Sequence, residues 1–286
     1  MLKKIIKFSC ITFFLVTLPL SVWGEEDKFP SEIRIGMAPT MGRDVVKHFQ
    51  PLMDHLKKSL KTEVKAYSAD DYAGIIKALA YKQVDFARLG PKSYIEAKEM
   101  SDVDILVCEV NEDGEAGYYG AVVSKKGSGI DTIEQAKGRI FAFTDPNSTS
   151  GYLIPSVLFA RDFKIDDLKT YFKEIRFSGS HRASLLAIKE GTVDVAAIST
   201  TQIYRLENEG LGSRDDFNIL WKSELIPSDP VCARKDLPEN LKKAFLKAML
   251  SFNEDKEGLK KMQLGGFQIA YDKTYNVIRE LDRIKK

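Results

Sequence analysis

Short β-branched segments alternate along this chain with longer segments whose apolar residues recur at helical spacing. In the first half, the predicted strands are IRIGMA, EVKAYS, VDFARL and DILVCEV. The predicted helices, residues 43–60, 72–81 and 92–99, lie between them, so that strands and helices alternate. This alternation is typical of α/β proteins, because a helix returns the chain before the next parallel strand begins. It predicts a parallel sheet with helices on its faces.

A second α/β series follows the loop NEDGEAG. Two similar phrases, IIKALAYKQVDFARLG and SLLAIKEGTVDVAAIS, occupy equivalent places in the two series. Each reads as an amphipathic helix, a short turn and a strand that opens with Val-Asp. The repetition predicts two lobes of related build and not a repeat array.

The first residues, MLKKIIKFSCITFFLVTLPLSVWG, have the pattern of a secretory signal peptide: lysines, an apolar run and small residues before a charged segment. We expect cleavage after Gly24 and a soluble exported protein, with an uncleaved anchor as the alternative. The formal net charge of the whole chain is +2, and loss of the three lysines of this segment leaves −1. No later segment concentrates lysine and arginine among aromatics, so we expect no nucleic-acid partner.

The two later cysteines, Cys108 and Cys232, lie in strand-like segments without metal or CxxC spacing. A disulfide between them and two buried free thiols are both open alternatives in an exported protein. His48 and His55 lie on a polar helix face without a third ligand nearby, so we expect no metal site. No GxxxxGK[ST] segment indicates a nucleotide, and we expect no cofactor.

Hydroxyl residues gather where predicted strands end and helices begin. The segment DPNSTSG carries Ser148, Thr149 and Ser150, which we name the hydroxyl cluster, and SGSH carries His181 at another helix start. Helix starts expose unpaired amides and partial positive charge, so they stabilise anions. One hydroxyl would suffice for an N-cap, whereas three in a row before a glycine favour anion binding.

Other strand ends carry Thr40, Tyr72 and Tyr94. Ligands of open α/β sheets gather outside the carboxyl ends of the strands, so these residues are candidate contacts. Ser150, His181 and Asp229 invite a catalytic-triad interpretation, but the chain lacks the GxSxG elbow of α/β-type hydrolases. We expect a binding protein and not an enzyme.

Several segments resemble the phosphonate-binding proteins of bacterial ABC uptake systems, a family that also serves phosphite and related phosphorus oxyanions. They are, in order, DYAGIIKAL, VDFARLGPKSY, FTDPNSTSGYLIP, FSGSHRASLLAIKEGTVDVAAI, LIPSDPV and GFQIAYDKTYNVIRE, and they cover nearly the whole mature chain. The resemblance implies a two-lobe periplasmic binding protein clamshell of type II, whose chain crosses twice between the lobes. We accordingly place the first lobe in residues 25–119 and 226–286, and the second in residues 120–225. It also implies a periplasmic location, a permease as partner, and membrane contact only through that permease.

The resemblance assigns roles to the candidate residues. The hydroxyl cluster and His181 would hold the oxygens of the anion from the second lobe, and Tyr72 and Tyr94 would reach it from the first. Asp229 matches the acid that faces the amino group in members that bind aminoalkylphosphonates. The ordinary alternatives are rim aromatics for the tyrosines and a turn before Pro230 for Asp229.

The chain departs from the family pattern in two places. Amine-binding members carry a second acid just after the strand that matches VDVAAIS, where this chain has TTQ with Thr201 and Gln202. Where relatives often have an aromatic residue before the Gly-Pro pair, this chain has Arg88 and Leu89. We favour pairing of Arg88 with a carboxylate, and a bidentate contact with an oxyanion is the alternative. These departures argue against 2-aminoethylphosphonate and leave phosphite, phosphate or a short alkylphosphonate.

These features predict a periplasmic substrate-binding component of an ABC transporter that imports phosphonate, phosphite or a related phosphorus oxyanion. A ligand-sensing binding protein for a membrane receptor kinase is the alternative. An exported enzyme acting on phosphorus esters would need a nucleophile or a metal ion, for which the sequence gives no motif.

Overall fold

The computed structural model describes residues 29–165 and 167–285. The predicted signal peptide, residues 1–24, lies outside the described residues, so cleavage after Gly24 stays a prediction. No helix in the described part of the chain is long and apolar enough to cross a membrane.

The chain forms two α/β lobes, each built around one sheet. The strands are β1 (Glu32–Met37), β2 (Thr40–Arg43), β3 (Glu63–Ser68), β4 (Phe86–Arg88), β5 (Val103–Val110), β6 (Gly117–Tyr118), β7 (Gly120–Lys125), β8 (Ile140–Phe143), β9 (Glu174–Phe177), β10 (Val195–Ser199), β11 (Phe217–Lys222), β12 (Ile226–Pro227), β13 (Pro230–Arg234) and β14 (Gly266–Ile269). The helices are α1 (Val45–His48), α2 (Gln50–Leu60), α3 (Tyr72–Ala80), α4 (Pro91–Ser101), α5 (Ile154–Arg161), α6 (Leu168–Tyr171), α7 (His181–Glu190), α8 (Thr200–Asn208), α9 (Glu239–Ser251), α10 (Lys256–Met262) and α11 (Asn276–Lys285).

The sheet of the first lobe has the order β14-β5-β13-β4-β1-β3. Strands β3, β1 and β4 are parallel neighbours, whereas β13 runs antiparallel between β4 and β5, and β14 runs antiparallel to β5. The prediction of a parallel sheet is therefore wrong for this lobe as a whole. The helical connections correctly predicted the common direction of the early strands. The insertion of the late strand β13 depends on long-range contacts, which local sequence patterns do not encode.

The sheet of the second lobe repeats this arrangement, with the order β11-β7-β10-β8-β9. Strands β10, β8 and β9 are parallel, and β7 runs antiparallel between β10 and β11. Each sheet thus contains one inserted antiparallel strand that begins just after the chain has crossed from the other lobe. The two crossings lie side by side, because β6 and β12 pair with each other through Tyr118 and Ile226.

The two similar phrases of the sequence occupy equivalent positions as α3 with β4 and α7 with β10. In the first lobe the carboxylate of Asp85 accepts the backbone N–H of Arg34 on β1 at 2.8 Å. In the second lobe the carboxylate of Asp194 accepts the backbone N–H of Ile140 on β8, also at 2.8 Å. The Val-Asp opening therefore ties each strand to its parallel neighbour, which explains why it occurs in both lobes.

The helix predicted over residues 43–60 is two helices that meet at Phe49. Pro51 stands in the first turn of α2, and a proline has no N–H to continue the hydrogen-bond ladder of a preceding helix. The break lets α1 and α2 take separate directions over the sheet, where Val45, Phe49 and Leu52 are buried in the first-lobe core.

Cys108 on β5 and Cys232 on β13 are free thiols, and both are buried. They lie on neighbouring strands but are not opposite each other, since Cys108 faces Pro230 and Cys232 faces Ile105. Burial raises the pKa of the Cys108 thiol to about 11, so it stays protonated at neutral pH. Of the two alternatives left open by the sequence, the structure has the free thiols.

Candidate anion-binding site

One small cavity is lined by residues of both lobes, at the ends of β4 and β5 on one side and at the helix starts of the second lobe on the other. The centre of a water molecule can occupy about 30 Å³ of it, and a single water needs about 10 to 15 Å³ on that measure. The cavity therefore suits a group of a few heavy atoms. Its lining residues are Thr40, Tyr72, Arg88, Gly90, Glu109, Asn111, Tyr118, Ser148, Thr149, His181, Ser199, Thr201, Gln202, Arg205, Ser228 and Asp229.

The hydroxyl cluster lies at the start of a π-helical turn, Thr149–Leu153, that continues into α5. Ser148 caps this turn, since its Oγ accepts the N–H of Gly151 at 3.0 Å. A Cβ on Gly151 would lie 2.3 Å from Oγ1 of Thr144, so the turn needs glycine at this position. The helical segment begins three residues before the predicted Tyr152, because the cluster itself belongs to its first turn.

The three hydroxyls of the cluster have different partners. Ser148 serves as the N-cap, and Oγ1 of Thr149 accepts the N–H of Lys92, at the start of α4 in the other lobe, at 2.9 Å. Oγ of Ser150 is buried without a hydrogen-bond partner, although Ser150 itself is not among the lining residues. The capping interpretation therefore accounts for one hydroxyl, and the cluster holds more hydrogen-bonding capacity than the fold uses.

His181 begins α7 and faces the cavity as a neutral imidazole. Its Nδ1 accepts the backbone N–H of Ser199 at 3.2 Å and lies 3.0 Å from Oγ1 of Thr144. Because Nδ1 is an acceptor, the ring proton is on Nε2, which is a donor. Burial, reinforced by the positive charges of Arg205 and Arg88, lowers the pKa of His181 to about 3. His181 can therefore donate a hydrogen bond to an anion at neutral pH without itself being charged.

Arg88, at the end of β4, pairs with two carboxylates. Its Nη2 donates to Oε2 of Glu109 at 3.0 Å and to Oδ2 of Asp229 at 2.7 Å, and its guanidinium lies 4.9 Å from the ring of Phe49. This is the carboxylate pairing that we favoured from the sequence. Its Nη1 is buried without a partner, so one donor of this buried network is unused.

Asp229 does not face the cavity as a free carboxylate. Burial raises its pKa to about 6, and the Arg88 guanidinium opposes that rise. Glu109 differs, because Arg88 outweighs the effect of burial and lowers the pKa of that carboxyl. With Oδ2 of Asp229 already bonded to Arg88, only Oδ1 remains for an amine. The site is thus poorly matched to a cationic ligand group.

The structure brings most of the other sequence-predicted residues to the cavity. Thr40 and Tyr72 line it from the first lobe, and each has a buried side-chain oxygen without a partner. Thr201 and Gln202 line it from the start of α8. Tyr94 is not among the lining residues, since its hydroxyl donates to Asp272 and its ring packs edge-on against Tyr275. It holds α4 against the C-terminal segment instead.

Two charged residues of the cavity were missed from the sequence. Glu109 lies in the apolar strand DILVCEV, where a buried acid has no local signal. Arg205 lies one helical turn after Thr201 on α8, so the spacing of four puts both on one face and could have been read from the sequence. The cavity lining that sequence analysis did not anticipate comprises Gly90, Glu109, Asn111, Tyr118, Ser199, Arg205 and Ser228.

No group of three histidine, cysteine or acidic side chains in the described part of the chain is placed to hold a metal ion. Apart from the carboxylates of Glu109 and Asp229, which pair with Arg88, the cavity offers hydrogen-bond donors: hydroxyls, an imidazole and guanidinium groups. These are the groups that hold oxyanions in proteins.

A comparison with known protein families decides which proteins share this architecture. The family model described as "ABC transporter, phosphonate, periplasmic substrate-binding protein" matches residues 35–275. The chain belongs to this family. The resemblance, the two-lobe α/β fold and the assignment to periplasmic substrate-binding components of ABC transporters are thereby confirmed.

Individual relatives of this substrate-binding family cover most of the chain. It is 30% identical over 284 residues to the phosphonates-binding periplasmic protein of Escherichia coli (strain K12). That match covers 96% of this chain and 82% of the relative. It is 27% identical over 237 residues to the phosphate-import protein PhnD of Mycolicibacterium smegmatis, with 78% and 72% covered. The crystal structure of a binding protein component of an ABC phosphonate transporter from Pseudomonas aeruginosa matches with a TM-score of 0.83 at 31% identity, covering 89% of this chain and 86% of that one.

Proposed function

We propose that this protein captures a small phosphorus oxyanion in the cavity between its lobes and delivers it to a membrane permease, without catalysing a reaction. The proposal includes export by a leader that is cleaved after Gly24. It also includes closure of two lobes, residues 25–119 with 226–286 and residues 120–225, about the paired crossings β6 and β12. Hinge closure about a few connecting residues is the usual motion of periplasmic binding proteins.

The observation that carries the proposal is the unused hydrogen-bonding capacity around the cavity. The described residues include six buried side-chain atoms without a partner. Three of them belong to residues that line the cavity, namely Oγ1 of Thr40, the hydroxyl of Tyr72 and Nη1 of Arg88, and a fourth, Oγ of Ser150, belongs to the adjoining hydroxyl cluster. A buried polar atom without a partner costs about 1 to 3 kcal/mol. A ligand rich in acceptors offsets this cost when it binds, whereas an apolar ligand does not.

The relatives support phosphorus chemistry and leave the individual anion open. One is named for phosphonates and another for phosphate import. We propose phosphite, phosphate or a short alkylphosphonate, because the cavity has room for a few heavy atoms and its acid Asp229 is already paired. The hydroxyl cluster, His181 and Tyr72 would hold the oxygens through charge-assisted hydrogen bonds.

Contacts between the lobes support a closed arrangement around such a ligand. The N–H of Lys92 reaches Thr149 across the lobes, and Nη1 of Arg182 donates to Oδ2 of Asp44 at 2.6 Å. The first of these contacts uses a residue that also lines the cavity, so ligand binding and closure share a side chain.

Two tyrosines provide a matched test of the site. Tyr72→Phe removes a buried hydroxyl that has no partner in the ligand-free protein, so we expect methylphosphonate binding to weaken by about 1 to 3 kcal/mol without a loss of stability. Tyr94→Phe removes a hydroxyl bonded to Asp272 outside the cavity, so we expect unchanged binding and a stability loss of about 1 kcal/mol. Calorimetric titration and urea unfolding of both variants measure the two effects.

The opposite pattern would count against the cavity as the binding site. If Tyr94→Phe weakens binding and Tyr72→Phe does not, the ligand is held on the other side of α4.

A further inference from the structure

Arg205 on α8 is a buried cation that the fold does not pair. Its side chain lines the cavity, and the residue is only 6% exposed. Within the described residues no carboxylate forms an ion pair with it, although Glu109, Asp229 and Glu209 are near enough for their charges to act on it. Burial lowers the pKa of Arg205, and this effect outweighs the three carboxylates, which act to raise it. A buried unpaired charge is costly, which indicates a partner that arrives from outside.

The nearby carboxylates already have other cationic partners. Glu109 and Asp229 are both bonded to Arg88, and Oε1 of Glu209 accepts from Arg182 at 2.5 Å. Each carboxylate near Arg205 is therefore already bonded to another arginine, and Arg205 itself has no ion pair with any of them. Its position is also informative, since it stands on the helix whose first turn holds the cavity residues Thr201 and Gln202.

A second, larger cleft adjoins the cavity, and Arg205 stands at the boundary. The centre of a water molecule can occupy about 550 Å³ of this cleft. Four residues line both spaces, namely Asn111, Tyr118, Thr201 and Arg205, and only Arg205 of these four is charged. A phosphorus group held in the small cavity would therefore direct its substituent past Arg205 into the cleft.

We propose that the protein selects phosphorus oxyanions whose substituent carries a second anionic group, such as a carboxylate, and that Arg205 pairs with this group at the boundary between the cavity and the cleft. This inference rests on the proposed function and deepens it, because it names the ligand class of the same site. Guanidinium suits the task, since its planar fork binds a carboxylate through two hydrogen bonds.

The other charges around the cleft fit this arrangement. Glu112, Asp113 and Glu115 line its outer part and are exposed, so water and salt screen their repulsion of an anion. Arg205 is buried, so its charge is screened less than theirs. The same charge repels an ammonium group, and the acid that could hold one, Asp229, is bonded to Arg88.

Ligands of similar size whose substituents differ in charge test the proposal. We would titrate the full mature protein at pH 7.5 with phosphonoacetate, with its neutral analogue 2-oxopropylphosphonate, and with 2-aminoethylphosphonate. A buried ion pair with Arg205 predicts that phosphonoacetate binds at least about tenfold more tightly than the neutral analogue, with the amine weakest. This comparison in the unaltered protein does not depend on the folding of any variant.

Variants then test whether Arg205 is the residue that causes the preference for phosphonoacetate over the neutral analogue. Arg205→Gln is expected to bring phosphonoacetate and 2-oxopropylphosphonate within about threefold of each other, and Arg205→Lys to keep only part of the preference, since it keeps the charge but loses the planar fork. Arg214→Gln is the matched control, because Arg214 also lines the cleft but is paired with Glu207 at 3.0 Å. It should leave the preference unchanged.

Each remaining outcome has a definite meaning. Equal affinity for phosphonoacetate and its neutral analogue in the unaltered protein would overturn the inference and leave phosphorus binding intact. An equal loss for every ligand in Arg205→Gln would also overturn it, because Arg205 would then act on the phosphorus group. Failure of all three ligands together with methylphosphonate, phosphite and phosphate would instead remove the proposed function itself.

Discussion

Arg88→Met is expected to lower the free energy of unfolding by about 3 to 5 kcal/mol, the usual cost of leaving a buried charge without its partner. Arg88 is 3% exposed and Glu109 is 6% exposed, and the side chain of Asp229 is 13% exposed, so neither carboxylate bonded to Arg88 is well solvated. Glu109 would lose both of its hydrogen bonds to the guanidinium, and Asp229 would lose one. Methionine fills similar space but supplies no charge, so the loss would be electrostatic.

Urea unfolding of the ligand-free protein, followed by circular dichroism, measures this difference. Arg43→Met is the matched control, since Arg43 pairs with Asp70 at 2.6 Å where both side chains are more than four-fifths exposed. Exposed pairs contribute about 0 to 1 kcal/mol. If Arg88→Met costs no more than this control, then Glu109 and Asp229 are not held as buried carboxylates by Arg88.

Because of His181, we expect the free energy of unfolding of the ligand-free protein to be about 3 kcal/mol lower at pH 4 than at neutral pH. Each unit of pKa shift corresponds to about 1.4 kcal/mol. The pKa of His181 is about 3 in the folded protein, below the 6.5 of an unburied histidine. Between these values the unfolded chain binds a proton that the folded chain does not, so stability rises with pH in this window. The contribution is complete above pH 6.5 and is lost as the pH falls toward 3.

Asp229 changes the stability in the opposite direction as the pH falls, so the measurement must separate its effect from that of His181. Its folded pKa of about 6 lies above the usual 3.8, so the folded protein binds a proton first and gains stability as the pH falls from 6 toward 3.8. Comparing the protein with His181→Asn at each pH cancels the contribution of Asp229. The asparagine oxygen can still accept the N–H of Ser199, so the local structure is kept. Parallel stability curves for the two proteins between pH 7.5 and 4 would contradict a buried neutral His181.

Local patterns in the sequence were enough to predict the elements that form the site, because each element obeys a local rule. Helical periodicity indicated α3, α7 and α8, and the hydroxyl cluster marked the helix start that lines the cavity. The Val-Asp phrases indicated two related lobes, and both acids turn out to tie parallel strands together. The resemblance to a known family then supplied the clamshell, which residue patterns alone did not give.

Features that depend on distant parts of the chain could not be predicted in this way. The insertion of β13 between β4 and β5 brings residues 230–234 next to residues 86–88 and 103–110, which lie more than a hundred positions earlier in the chain. The same insertion places Asp229 beside Arg88, so the pairing that removes a free acid from the cavity is a consequence of topology. Tyr94 has the right position at a strand end, but the C-terminal segment binds its hydroxyl, and no local signal predicts that contact.

The central claim is that a phosphorus oxyanion binds in the cavity next to the hydroxyl cluster. We would titrate the mature protein, refolded to remove any carried-over ligand, with phosphite, phosphate, methylphosphonate and 2-aminoethylphosphonate, and repeat the titration with Ser150→Ala and its control Ser156→Ala. Ser156 lies on the same helical segment, but its hydroxyl donates to the carbonyl of Tyr152 at 2.7 Å. We predict binding of at least one of the first three anions, weaker by about 1 to 3 kcal/mol in Ser150→Ala only. Silence for all four compounds, or tight binding of the amine alone, would contradict the account.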